Sequence, residues 1–210
     1  MVDVTDNYFR YFLRLISKHS FLYTEMLNEH AIIHKPSLLK FTPNQHPVVC
    51  QIGGNDPLKV AKAAQMVEEA GYDEVNLNCG CPSQKTVNGC FGAQLMYNPE
   101  LVAEICQEMI QTVNIPVTVK CRLGVDHLDS WEHLVNFITT VSEKGGVQKF
   151  ILHARKAFLK GLDPKQNRTV PPLKYDWVLR LKQEFPHLEI VINGGFTTVE
   201  QMHEILKPEN

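Results

Sequence analysis

The sequence alternates short apolar segments with longer, helix-like ones, and this alternation limits its possible folds more than any other feature. Six segments of five to seven residues have the length and composition of β-strands. Parallel strands need crossover connections and are buried on both faces, so the pattern predicts an α/β protein with a parallel sheet. The predicted strands are residues 21–27, 48–52, 74–78, 116–120, 149–154 and 189–193.

Start signals mark several of the predicted helices. A helix over residues 5–18 has a threonine as its expected N-cap, and another begins at Asp56 with Pro57 in its first turn. The remaining predicted helices cover residues 99–112, about 130–142, about 175–185, and a last one from Thr198.

Polar residues occur at or near the C-terminal end of each predicted strand. In a barrel these ends converge on one face, whereas in an open sheet they lie along a line, so the pattern favours a (βα)8 TIM barrel. Only about six of the eight strands are visible, so we expect one incomplete barrel domain over residues 1–210. The six strand-end residues are Glu25, Gln51, Asn78, Lys120, His153 and Asn193.

Composition and charge exclude some classes of function. The net charge of −2 argues against a surface that binds nucleic acid over its whole area, so any RNA must be held locally. The six cysteines show neither a C-x-x-C pair nor metal-ligand spacing, which predicts reduced thiols and no metal. No apolar run approaches the roughly 20 residues of a membrane helix. We therefore expect a cytoplasmic protein without a membrane partner, with a leader or an organelle left open.

Cys81 is the candidate reactive thiol. It precedes Pro82 on a tight, glycine-containing loop after a strand, where backbone can approach a ligand. The alternative, a small buried apolar residue, suits Cys50, Cys106 and Cys121 better, because they lie inside apolar segments. Spacing alone leaves open whether the thiol acts as a nucleophile, a metal ligand or a proton donor.

Lys120 and His153 each have an ordinary alternative explanation. The lysine could reach solvent from its strand end, and the histidine could be a satisfied structural one. Gln51 and Asn193 could simply hydrogen-bond loops. Their common placement at strand ends indicates a shared site instead.

Residues 192–198, INGGFTT, resemble a phosphate-binding loop before a helix capped by Thr197 or Thr198, although Asn-Gly-Gly is also a common turn. With a strand-end lysine and amide side chains, this loop indicates a phosphorylated aromatic cofactor, best matched by flavin mononucleotide (FMN). Residues 155–168 carry five cations against the single acid Asp163. Such a run is usually solvated surface, but beside a site it could hold nucleic-acid phosphates.

Six motifs are familiar in combination: NLNCGCPS, NGCFGAQLM, VTVKCRLGVD, HARKAFLKGLDPKQNR, PPLKYDWV and FPHLEIVINGG. Through them the chain resembles the tRNA dihydrouridine synthases, in particular their bacterial A-type branch, over essentially its whole length. The resemblance implies that NADPH reduces FMN, which passes a hydride to C6 of a D-loop uridine while a cysteine protonates C5. The cysteine at the matching position is Cys81.

The resemblance also implies roles for other residues. FMN contacts are expected from Met1, Gln51, Lys120 and His153, with Asn193, Gly194 and Gly195 around its phosphate. Asn78 is expected to hold the flipped uracil, and Arg155, Lys165 and Arg168 to contact tRNA. Cys79 and Cys90 receive no role.

The family pattern continues past both ends of this sequence. It has a first strand ending in Ala-Pro-Met, an eighth strand, a Gly-Arg pair and a helical C-terminal domain. The sequence therefore predicts weak FMN binding and poor tRNA binding by the chain as written. The alternatives are another FMN barrel enzyme acting on a small molecule, such as a dihydroorotate dehydrogenase or ene-reductase relative, and an inactive fragment of the synthase, either an RNA-binding or a flavin-free remnant.

Overall fold

The computed structural model describes residues 4–207, so the predicted cofactor residue Met1 lies outside the described part. Six parallel strands form one sheet in the order of the chain, which confirms the predicted α/β architecture. Within residues 4–207 the first and last strands do not pair with each other, so the barrel is not closed. The strands are β1 Leu22–Asn28, β2 Val48–Gly53, β3 Glu74–Cys79, β4 Val117–Arg122, β5 Lys149–His153 and β6 Glu189–Asn193.

Helices connect the strands and cover one side of the sheet. They are α1 Asn7–Ile16, α2 Glu29–His34, α3 Pro57–Glu69, α4 Gln84–Asn88, α5 Pro99–Thr112, α6 Trp131–Glu143, α7 Tyr175–Glu184 and α8 Val199–Ile205. Short 3₁₀ segments lie at Pro36–Leu39, Pro43–Gln45, Gly92–Tyr97 and Gln166–Arg168. No helix within residues 4–207 has the length and apolar character needed to cross a membrane.

The helix boundaries differ from the sequence prediction in two ways. The first helix is shorter than residues 5–18, and its N-cap is Asp6, whose Oδ1 accepts from the backbone N–H of Phe9, rather than a threonine. The short helices α2 and α4 were not predicted. Each is capped by a polar residue, Asn28 or Ser83, at the exit of a strand or loop, and is too short to show a helical apolar period.

Alternation along the strands separates an apolar face from a polar one. On β5, Phe150 and Leu152 are fully buried in the core, while Lys149 and His153 have the opposite parity. The polar face lies on the inner side of the curved sheet, and its carboxyl-end part is called the mouth below. One predicted strand-end residue is corrected: Glu25 lies in the middle of β1, because this strand continues to Asn28.

Candidate active site

Cys81 is held on a rigid loop at the end of β3. The side-chain Oδ1 of Asn78 accepts from the backbone N–H groups of Gly80 (3.1 Å) and Cys81 (2.9 Å). The carbonyl of Cys81 accepts from Ala93 N and from Thr86 Oγ1, both at 2.9 Å. The half-buried thiol lies 3.5 Å from Ser83 Oγ, to which it donates. The loop thus presents one sulfur atom with restricted freedom.

The other cysteines have different surroundings. Burial raises the pKa of both Cys50 and Cys121 to about 12. Cys79 and Cys106 are also fully buried, and burial raises their pKa values as well. Cys90 is exposed, at φ +55°. These surroundings suit inert structural thiols for the four buried residues.

Lys120 points into the mouth, where its Nζ donates to Asn193 Oδ1 on β6 at 3.3 Å. Burial lowers the pKa of Lys120 to about 8, and the nearby Arg122 charge adds to this effect. The charged form of such a buried lysine is stabilised by any anionic or electron-rich group placed beside it.

His153 ends β5 with only 8% of its surface exposed. Burial lowers its pKa to about 3, assisted by the positive charges of Arg122, Lys120, Arg155 and Arg168. The ring is therefore neutral at physiological pH. Its Nε2 is buried and has no hydrogen-bond partner in the described structure, which leaves one ring nitrogen available to a ligand.

Two glycines after β6 leave room for neighbouring side chains, Gly194 for the His153 ring and Gly195 for Leu173 and Tyr175. Gly194 has φ +105°, and a Cβ there would lie 2.7 Å from His153 Nε2 and closer still to Cδ2. Gly195 has φ +78°, and the Gly194 carbonyl accepts from Tyr175 Oη at 2.6 Å. Both positions therefore require glycine, for backbone conformation and for space.

The start of α8 differs from the expected anion site. Thr198 is its N-cap, as predicted, but Gln201 Oε1 already accepts from the backbone N–H groups of Thr197 (2.9 Å) and Thr198 (3.4 Å). The N–H of Thr198 is thus occupied in a capping box, and the N–H of the preceding Thr197 is occupied by the same side-chain oxygen. The phosphate role of Asn193, Gly194 and Gly195 stays a prediction.

Arg122 is a residue of the site that sequence reasoning missed. It is buried, and its guanidinium donates to the carbonyls of Gly80 (3.3 Å), Asn167 (2.9 Å) and Lys156 (3.4 Å). Burial lowers its pKa to about 10. Arg122 therefore ties the Cys81 loop to the basic segment after β5. The sequence did contain one indication of this role: Arg122 follows Lys120 by two residues and therefore lies on the same face of β4.

The basic segment 155–168 is not uniformly free to bind phosphates. The Arg155 guanidinium donates to the carbonyls of Thr169 and Pro171. Lys156 forms an ion pair with Asp129 at 2.9 Å. Lys160, Lys165 and Arg168 are exposed. The segment is organised by the fully buried Asn167, another residue that was missed.

The arrangement suits an anionic, planar ligand with hydrogen-bonding edges. An unpartnered ring nitrogen and a poorly hydrated lysine lie at the ends of the neighbouring strands β5 and β4, and the four charges acting on His153 are all positive. Residues 4–207 contain no group of three or more His, Cys, Asp or Glu side chains placed to hold a metal. FMN, with a phosphate and a heteroaromatic ring, fits this donor set.

Fold and site together define a barrel-type α/β protein whose ligand site lies at the carboxyl ends of its strands. A solved structure assigned as a lyase/mutase from Burkholderia cenocepacia J2315 shares this fold. Its TM-score is 0.63 at 10% identity, with 95% of this chain and 71% of that chain covered. The family model for dihydrouridine synthase (Dus) matches residues 1–209, and the chain belongs to that family.

Curated relatives named tRNA-dihydrouridine(20/20a) synthase agree with this assignment. The Synechocystis protein (strain PCC 6803) is 51% identical over 98% of this chain and 62% of its own length. The Escherichia coli K12 protein is 53% identical over 96% of this chain and 59% of its own length. The resemblance inferred from the motifs is confirmed, and the chain spans about three fifths of the relatives it matches.

Proposed function

We propose that the chain carries the catalytic site of a tRNA dihydrouridine synthase, which reduces the C5=C6 bond of a D-loop uridine. The main support is the placement of Lys120 and His153 at neighbouring strand ends beside the Cys81 loop, with Lys120 bonded to Asn193 and Gly194 packed against the His153 ring. The names of the relatives, at 51–53% identity, support the same substrate class. We place the activity in the cytoplasm, where reduced thiols persist.

The residues of the mouth would hold FMN. Lys120 would supply positive charge to the ring, and neutral His153 would offer Nε2 as a hydrogen-bonding partner. Asn193, Gly194 and Gly195 would enclose the phosphate, and Gln51 would contact the ring from β2. When bound and reduced by NADPH, FMN supplies the hydride that adds to C6.

Cys81 would act as the general acid. Adding hydride at C6 of uracil leaves enolate-like charge that must be neutralised by a proton at C5, and the Cys81 thiol is the proton donor. A general acid in position is worth roughly 10²- to 10⁴-fold in rate. The backbone bonds to Asn78 and the contact with Ser83 Oγ support this role, because they restrict the direction of the thiol.

Uracil must leave the base stack to enter the mouth, and Asn78 would hold it there. Lys165 and Arg168, exposed beside the mouth, would contact tRNA phosphates. The hydrogen bonds of Arg155 to loop carbonyls suit a role in shaping this surface. Any contact of Arg155 with tRNA would be made by the part of its guanidinium that is still exposed. These exposed cations favour a tRNA substrate over a free small molecule.

The experiment that tests the proposal combines purification with an RNA assay. The chain is incubated with FMN, NADPH and tRNA from a strain lacking dihydrouridine synthases, and digested nucleosides are measured by mass spectrometry. The proposal predicts FMN-dependent dihydrouridine. Folded chain that neither binds flavin nor forms dihydrouridine would support an inactive remnant. Reduction of a small substrate, with tRNA untouched, would support another FMN enzyme.

A further inference from the structure

A continuous chain of side-chain hydrogen bonds runs beneath the mouth. Asn78 Nδ2 donates to Gln51 Oε1 (2.7 Å), and Gln51 Nε2 donates to Asn76 Oδ1 (2.8 Å). Asn76 Nδ2 donates to Thr118 Oγ1 (2.9 Å), and Thr118 donates to Glu74 Oε1 (2.7 Å). These five side chains, called the polar relay, connect three strands, and all but Gln51 are buried.

Both ends of the polar relay dictate the same direction. Glu74, whose other oxygen pairs with Lys149 Nζ at 3.0 Å, can only accept as a carboxylate, so Thr118 must donate to it. At the far end, the backbone N–H groups of Gly80 and Cys81 can only donate, so Asn78 must turn Oδ1 towards them. A flip of any amide in between would place donor against donor or acceptor against acceptor.

This direction limits what Asn78 can offer to a ligand. Its Oδ1 already accepts two hydrogen bonds, and one of its two amide hydrogens is used by Gln51, so a single N–H remains. We propose that the polar relay is a positioning device that fixes Asn78 as the anchor of the Cys81 loop and as a hydrogen-bond donor only. Glu74, Asn76 and Thr118 are positioning residues, since none of them reaches the loop directly.

The effect on catalysis rests on the proposed function, but the positioning claim can be tested without cofactor or tRNA. Thr118→Val keeps the side-chain shape and removes the hydroxyl, which strands a buried amide hydrogen of Asn76. If Asn76 turns to find another acceptor, its hydrogen bond with Gln51 is disturbed, and so is the bond between Gln51 and Asn78. Thr118→Ser restores the hydroxyl. Asn76→Ala cuts the polar relay at the next link, and Thr140→Val removes a buried hydroxyl elsewhere, on α6.

The measurement is amide hydrogen exchange by NMR on chain labelled with ¹⁵N at its six cysteines. Thr118→Val and Asn76→Ala are expected to speed exchange at Cys81 roughly tenfold, about the effect of one lost hydrogen bond. Thr118→Ser and Thr140→Val should leave it at the parent rate. Cys50 in β2 and Cys106 in α5 serve as internal references for general loosening.

Faster exchange confined to Cys81, with recovery in Thr118→Ser, would support the positioning role. Unchanged exchange at Cys81, or equal acceleration at Cys50 and Cys106, would overturn it. Neither result depends on flavin or tRNA, so failure of the proposed function in the nucleoside assay would be seen separately.

Discussion

Replacing Gly194 with alanine tests whether the close packing of His153 against a glycine is required. The new Cβ would lie 2.7 Å from His153 Nε2, within the ring's own space, on a backbone with φ +105°. Gly71 provides a matched control, because it has φ +89° and a Cβ added there would meet nothing within 4 Å. Gly71→Ala therefore reports backbone strain alone, and the difference between the two variants reports the contact with His153.

The structure gives the size of this difference. A non-glycine residue at such a φ costs about 1–3 kcal/mol, which both variants share. Forcing a methyl group against a packed ring costs a further 1–3 kcal/mol or so, which only Gly194→Ala incurs. Urea unfolding would measure the stability difference. FMN titration by fluorescence should show roughly tenfold weaker binding for Gly194→Ala, equivalent to about 1.4 kcal/mol, and parent affinity for Gly71→Ala. Equal stability and equal FMN affinity in the two variants would refute the reasoning.

Three further predictions concern charge. FMN affinity should fall about tenfold between pH 7 and pH 9, because Lys120, with a pKa of about 8, loses its proton there. In Lys120→Arg the FMN affinity should not change over this range, and an equal fall in both proteins would contradict the prediction. Because the folded-state pKa of His153, about 3, lies below its unfolded value near 6.5, the unfolded chain gains the proton first on acidification. The free energy of unfolding, measured by urea unfolding, should thus drop by up to about 4 kcal/mol between pH 6.5 and pH 3. The drop should be smaller in His153→Gln, which lacks the titrating ring. Arg122→Lys should lower the free energy of unfolding by about 1.5–3 kcal/mol and speed proteolysis of residues 158–168, because hydrogen bonds to the carbonyls of Gly80 and Asn167 are lost. An unchanged cleavage rate would argue against Arg122 as the link between the Cys81 loop and this segment.

The strand pattern and the strand-end residues of the mouth were predictable from the sequence. Apolar residues at every second position mark the face towards the helices, so Lys120 and His153 had to share the opposite face and its carboxyl end. The strand-end position of Glu25 was wrong because β1 ends three residues beyond it, at Asn28, and this end is set by pairing with β2, which local sequence does not specify.

The roles of the cations could not be read in the same way. Counting charges in segment 155–168 does not distinguish Lys165, which is exposed, from Lys156, which pairs with Asp129. Arg122 binds backbone carbonyls that are distant in sequence, and such acceptors leave no residue-type signal. The occupied N–H groups at the start of α8 depended on a side chain, Gln201, three residues into the helix.

The central claim is that a flavin held by the mouth and a proton from Cys81 together reduce uridine in tRNA. The most direct measurement is dihydrouridine formed in a single turnover by flavin-loaded Cys81→Ala, compared with Cys90→Ala, which removes an exposed thiol to which no role is assigned. The account predicts unchanged flavin content in both variants, a normal rate for Cys90→Ala and a rate roughly 10²- to 10⁴-fold lower for Cys81→Ala. A Cys81→Ala chain that forms dihydrouridine at the parent rate would contradict it.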